Sequence, residues 1–392
     1  RPSSRQFRCR MRQQEQKRMT EYDVCIIGGG AAGLAAAASF DKRIKACILE
    51  KNEIPGRKIM ATGGGRCNIT NAACKNKDLT LDFFESLGMI CFSDDEGRYY
   101  PYSNHASDVV KILLDASGSA DTGSTEIITS AAAEKIVSES GSFSVTFRDT
   151  KNGRLCTTKA SNVLIASGGK AAPQFGTTGD GYSLAKSLGH HISRVFPILT
   201  GVECGDMRDV KGVRAKGRAG LYRNGELLHE ESGEIQFTAD GLSGICIFNL
   251  TPYIKSSGGE SFAEALKQFE IRLDLAPDIP ADKLAGRESS FGILTEKLAE
   301  RVGPDKIKDW RLPVLAVKGW KNAQCTAGGV VTDEIDMNTM ESKLVNGLYF
   351  AGEVTDMQGP CGGFNLQNAW ETGIKAAKAL NEWKKKQEKA DR

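Results

Sequence analysis

No stretch of this 392-residue sequence approaches the ~20 consecutive apolar residues of a membrane-spanning helix, and no membrane partner is expected. The eleven cysteines include no CxxC pair. Their odd, scattered distribution fits a reducing compartment better than a disulfide framework, so a cytoplasmic location is expected. Histidine is scarce, at four residues. His105, His190, His191 and His229 show no metal-ligand spacing beyond the adjacent pair, which points to opposite sides of any regular element, and no metal site is expected. Internal repeats and low-complexity segments are missing too, which excludes solenoid architectures.

Basic charge is plentiful only at one end. Residues 1–18 carry seven Lys/Arg against Glu15 alone, and without them the formal charge of +3 becomes −3. This segment lacks interleaved aromatics and heptads, so it reads as a solvated, disordered tail or leader ahead of Met19, with no nucleic-acid partner expected. Followed by the mostly apolar run 24–40 it imitates a secretory signal. Glu21 and Asp23 directly before that run, and the glycines inside it, argue against one.

What the sequence has in excess is glycine, 43 residues gathered in clusters. The first cluster, Gly28-x-Gly30-x-x-Gly33, falls between a predicted strand (22–27) and a predicted helix (31–40), with a second strand at 45–50. In such a βαβ unit the first glycine permits the tight turn. The second lets a pyrophosphate approach the backbone, and the third lets the helix pack on the strand. The helix N-terminus, beginning at Ala31, offers free N–H donors and about half a positive charge to phosphates. Glu50, with Lys51 after it, ends the next strand, where a carboxylate accepts hydrogen bonds from a ribose diol.

NAD and FAD satisfy this motif equally well, and the rest of the chain breaks the tie toward FAD. A second glycine-rich loop, Gly56-Arg57-Lys58 followed by Thr62-Gly63-Gly64-Gly65-Arg66-Cys67-Asn68, brings fixed cations that an NAD domain does not need. Predicted strands at 162–166 and 347–351 end in Ser167-Gly168-Gly169 and Gly352-Glu353. Three parallel strands with glycines at their carboxyl ends place a ligand along that edge. Gly363, Asn365 and Leu366 open a last helix, about 365–383, whose N-terminus favours an anionic reduced flavin by ~0.3–1 kcal/mol.

Length beyond ~250–300 residues predicts more than one unit. The texture changes at about 194 to short alternating runs with turn signals, including Asn224-Gly225 as a hairpin turn. The expected fold class is α/β: a doubly wound FAD-binding domain from residues 19–193 and 320–392, interrupted by a β-barrel-like unit at 194–319 that contains a small helical subdomain at about 276–305.

The segments GRKIMATGGGRCNITN (56–71), TTGDGYSLAKSLGH (177–190), GEIQFTADGLSG (233–244) and GGVVTDEIDMNTMESKLVNGLYFAGEVTDMQGPCGGFNLQNAW (328–370) carry a resemblance. From Tyr22 to about Lys378 the chain is similar to the NAD(P)/FAD-dependent flavoprotein family that includes aminoacetone oxidase and the bacterial 3-dehydro-bile acid reductase. The resemblance implies the interrupted FAD domain and places Ala133 against the adenine. Two departures stand out: a shortened stretch between Asn71 and Phe83-Phe84, and Thr238-Ala239-Asp240-Gly241 where the family has Thr-His-x-Gly.

No second glycine fingerprint follows another strand, so NADH or NADPH is expected to dock transiently as electron donor. The resemblance implies reduction of a conjugated C=C bond in a small-molecule substrate, a 3-oxo bile acid or steroid enone. An aminoacetone-type oxidase and a flavin-dependent RNA- or partner-binding protein are the alternatives. Tyr99, Tyr100 and His105 are the candidate proton donors. Cys67 and Cys361 read as small buried thiols, and Asp180 as the cap of the helix that follows it.

Overall fold

The computed structural model describes residues 21–118, 125–139, 141–257 and 259–390. The basic tail at 1–18 lies outside them. A seven-stranded sheet organises the first unit: β1 (Glu21–Ile27), β2 (Ala46–Leu49), β3 (Thr125–Ile128), β4 (Ala131–Glu139), β5 (Ser142–Asp149), β6 (Leu155–Ile165) and β7 (Leu348–Phe350). Strands β3, β2, β1, β6 and β7 are mutually parallel in that order, with Ile27 registered between Leu49 and Ile165. β6 is long enough to serve two partners on one edge. Its first half pairs antiparallel with β5, and its last three residues pair with β7. Because the parallel strands run the same way, Gly28, Glu50, Ala166 and Ala351 all emerge at one edge.

The runs VCII, ACIL and VLI are buried on both faces, as central parallel strands require. Helix α1 (Ala31–Ala38) covers one face, packed beneath the terminal helix, Phe364–Ala390. Gly33 decides how close α1 can come: a Cβ there would lie 2.0 Å from the Gly28 carbonyl oxygen. Trp370, fully buried, donates from Nε1 to the Ile69 carbonyl at 3.0 Å and meets Phe84 edge to face at 5.3 Å. That contact ties the terminal helix to the loop after the second glycine cluster.

The second unit is an antiparallel sheet spanning residues 202–317, with its own core of Leu221, Ile235, Phe237, Leu242, Ile271 and Leu273. Its edge strands, Trp310–Pro313 and Ala316–Val317, follow one another in the chain. Val314 N–H bonds to Phe269 and Leu315 N–H to Glu203, so this short segment joins the two edges and curls the sheet into a barrel-like shape. The hairpin turn falls at Asn224 and Gly225, both with positive φ.

Helix is sparse where a helical subdomain was expected. Residues 281–301 hold one 3-10 turn, Ala281–Lys283, and one short helix, Glu296–Arg301. Gly286 and Gly292 take positive φ between them and break the helical path.

Candidate active site

Along the sheet's carboxyl edge lies a cavity of about 640 Å³. Its floor is the first glycine turn. Gly30 is in extended conformation (φ −88°, ψ −164°), and a Cβ there would meet nothing within 4 Å, so the space above it is open. Glu50 Oε2 accepts from Gly29 N–H at 2.8 Å, and Oε1 accepts from Asn52 N–H and Nδ2, which fixes the carboxylate at the cavity wall. Ala133, on the neighbouring β4, lines the same end with Ala131.

The second glycine loop forms the opposite wall. Gly63, Gly64 and Gly65 all take positive φ and compress the chain between the helix Arg57–Ala61 and Asn68. Lys58 Nζ pairs with Glu353 Oε2 at 2.8 Å, while Glu353 Oε1 accepts from Thr326 N–H at 2.8 Å. Burial alone would weaken the Lys58 ammonium; the Glu353 carboxylate outweighs it and holds the pKa above the ordinary lysine value. Arg57 reaches Asn52 Oδ1 and the Gln174 carbonyl across the mouth.

At the far end the strand Arg98–Pro101 presents Arg98 and Tyr100 to the cavity. The Tyr100 ring lies against Gly63, with the Arg66 guanidinium 4.1 Å above it. Burial pushes its phenol above the ordinary value, against the opposing pull of Arg98 and Arg66. Ile245, from the second unit, and Gln324, Cys325 and Cys361 complete this end.

Of the expected cofactor positions, the cavity is lined by Gly28, Gly30, Ala31, Glu50, Lys51, Arg57, Lys58, Thr62, Gly64, Arg66, Asn68, Ala133, Ser167, Gly168, Gly352, Glu353, Gly363, Asn365 and Leu366. Gly33, Gly65 and Cys67 stand behind it. Cys67 is fully buried, and burial pushes its thiol up to about 12. Tyr99 and His105 do not line it either. Side chains alternate along a strand, so Tyr99 faces away from Arg98 and Tyr100, and His105 is exposed ahead of the helix Ala106–Ala116. Asp180 is not a cap: Gly179 occupies that position, and Asp180 pairs with Lys51.

The two adjacent histidines also differ from expectation, because both Nδ1 atoms meet the Glu334 carboxylate. They follow the turn that ends at Gly189 (φ 93°) and lie outside any helix or strand, so strand alternation does not apply. Asn52, Gln324 and Cys325 belong to no motif that would mark them as cavity residues. Arg98 was readable from its i, i+2 relation to Tyr100.

The composition of the walls fits FAD. Two buried polar atoms among the lining residues, Asn68 Oδ1 and Ser167 Oγ, have no hydrogen-bond partner, and the open space above Gly30 suits a pyrophosphate. The HI0933-like protein Rossmann domain matches residues 22–81 and 72–379. The chain belongs to the HI0933-like family. It is accordingly an FAD-binding flavoprotein oxidoreductase. The 3-dehydro-bile acid delta(4,6)-reductase of Clostridium scindens is 32% identical over 418 residues, covering 91% of this chain and 98% of that protein. The ribosomal RNA dihydrouridine synthase of Escherichia coli is 26% identical, covering 92% and 98%. Among solved structures, the open conformation of a flavocytochrome c3 fumarate reductase aligns at TM-score 0.50 and 15% identity, covering 97% of this chain and 81% of that one. This last likeness concerns the fold alone.

Proposed function

We propose that this HI0933-like protein reduces a carbon–carbon double bond conjugated with a carbonyl, with NADH or NADPH as electron donor and an enone of the 3-oxo bile acid or steroid class as substrate. One observation carries the reading. The names of relatives matched over almost their whole lengths, a bile acid reductase and the dihydrouridine synthases, share one reaction type, saturation of a ring double bond beside a carbonyl.

Bound FAD supplies hydride exchange. The chain's own residues hold and polarise the substrate. Tyr100 is the expected proton donor that the cavity retains, and its raised pKa keeps the phenol protonated and able to donate a hydrogen bond to the carbonyl oxygen. Arg66 and Arg98 beside it favour the negative charge that develops on that oxygen as the double bond is reduced. Ile245 and, from the loop at 357–363, Met357 and Cys361 add apolar and thiol surface to the cavity wall for a steroid or uracil ring to lie against.

A second substrate reading, a uracil ring in RNA, is favoured by the mouth. Arg57 and Lys321, which line it, have no carboxylate partner among the described residues, in keeping with a phosphodiester ligand. The test is anaerobic incubation with NADH or NADPH and either an enone steroid or a uridine-containing RNA, followed by mass spectrometry. A product that gains two hydrogens supports the reductase and identifies its substrate class. Hydrogen peroxide from a primary amine and oxygen, with no saturated product from either substrate, would replace it with the amine oxidase.

A further inference from the structure

Cys361 stands where the two units meet. Its N–H donates to Asn249 Oδ1 at 2.8 Å, from the helix Ile245–Leu250 of the second unit. Its thiol donates to Gln324 Oε1 at 3.2 Å, which orients the S–H bond. The loop that carries it is held to the start of the terminal helix, because the Asn365 side chain bonds to both Gly359 N–H and carbonyl and to the Pro360 carbonyl. The neighbouring Asn71 Nδ2 donates to the Gly362 carbonyl. The half-buried thiol is thus oriented by Gln324, and its loop is fixed by Asn249, Asn365 and Asn71.

The wall beside it also points to a ligand. Asn68 is more than nine-tenths buried, lines the cavity, and its Oδ1 has no partner; it lies 2.9 Å from where a Cβ of Gly363 would be, two residues from Cys361. Arg98, Tyr100 and Cys361 line the same cavity as Asn68.

We infer that Cys361 is the acid that protonates the substrate carbon next to the carbonyl, while Tyr100 holds the carbonyl oxygen. This rests on the C=C reductase reading. When hydride, supplied through the flavin from NAD(P)H, adds to the β-carbon, the π-electron pair moves to the enolate. The α-carbon then takes the Cys361 proton: the S–H bond breaks and a C–H bond forms. The thiolate left behind is reprotonated from solvent, and the substrate has gained two electrons and two hydrogens. Burial pushes the resting thiol up to about 11, so at neutral pH it enters each turnover protonated, against the smaller opposing effects of the Gly362 N–H and Arg98. Tyr100 remains protonated as well, but its ring is clamped between Gly63 and Arg66, which suits it to hold the carbonyl oxygen.

The experiment uses FAD-loaded wild type, Cys361→Ala and Cys361→Ser. Flavin content, absorbance spectrum and the rate of reduction by NAD(P)H are expected to be unchanged. Reoxidation of the reduced variants by an enone steroid or uridine-containing RNA is expected to fall by roughly a hundredfold or more, the range for loss of a general acid. A second readout does not depend on turnover. In the oxidised holoenzyme, iodoacetamide labelling of Cys361, followed by peptide mass spectrometry, is expected to rise with pH toward about 11 and to be blocked by the saturated product. Full-rate reoxidation of Cys361→Ala, or labelling unaffected by product, overturns the assignment and leaves the reductase reading standing. Wild type that no enone or uridine substrate reoxidises overturns both.

Discussion

Gly30 and Gly33 are three positions apart, and an added side chain meets opposite situations at each. At Gly30 it would extend into open space over a backbone that any residue adopts, so Gly30→Val is expected to leave the flavin-free protein within about 0.5 kcal/mol of wild type, as unobstructed substitutions do. FAD binding should nonetheless be abolished, because the valine fills the pyrophosphate space. Gly33→Ala puts its methyl 2.0 Å from a carbonyl oxygen and should cost about 1–3 kcal/mol in the folded protein itself. Urea unfolding of flavin-free samples, with FAD titration by fluorescence, separates the two cases. Cys67→Ser is expected to retain flavin and its reduction, since the thiol is fully buried outside the cavity. This part of the site was legible because a glycine fingerprint specifies backbone geometry locally. Tyr99 and His105 were misplaced because an aromatic run says nothing about which face of its strand meets the ligand.

Two contacts between elements control how the domain is closed. Glu353 joins the end of β7 to Lys58 and to Thr326 N–H, so Glu353→Gln leaves a partly buried ammonium without its counter-ion. Loss of a buried pair costs ~3–5 kcal/mol; with Lys58 and Glu353 still 25% and 20% exposed, about 1–3 kcal/mol is expected by urea unfolding. The second contact is His190, buried between Glu334 Oε2 and Ser342 Oγ. Burial, the largest influence, lowers its pKa against the pull of Glu334. The unfolded chain then binds the proton more readily than the folded one, so stability is expected to fall as pH drops below about 6.5, the ordinary histidine value. A melting temperature flat from pH 8 to 5 in His190→Asn but falling in wild type would show this. The parallel strands were readable as apolar runs. The His190–Glu334 and Lys58–Glu353 contacts were not, since each joins residues more than a hundred positions apart.

At the scale of the whole molecule, the FAD domain is closed only when the chain returns from the second unit to supply β7, Glu353 and the terminal helix. The glycine clusters and the turn signals of the second unit made that discontinuity legible. The barrel closure through residues 313–317 was not, because it depends on two backbone hydrogen bonds. Both halves of a dinucleotide have walls in the cavity, so the protein is expected to release FAD and not FMN on denaturation. FAD at ~100 times its dissociation constant should stabilise the fold by ~2.7 kcal/mol, read as a rise in melting temperature. The most direct test of the reductase account is stopped-flow reoxidation of the anaerobically reduced protein, mixed in turn with an enone steroid, a uridine-containing RNA and air-saturated buffer. The account predicts that one of the two unsaturated substrates reoxidises the flavin faster than oxygen does. Oxygen outpacing both, together with rapid flavin reduction by a primary amine, would contradict it.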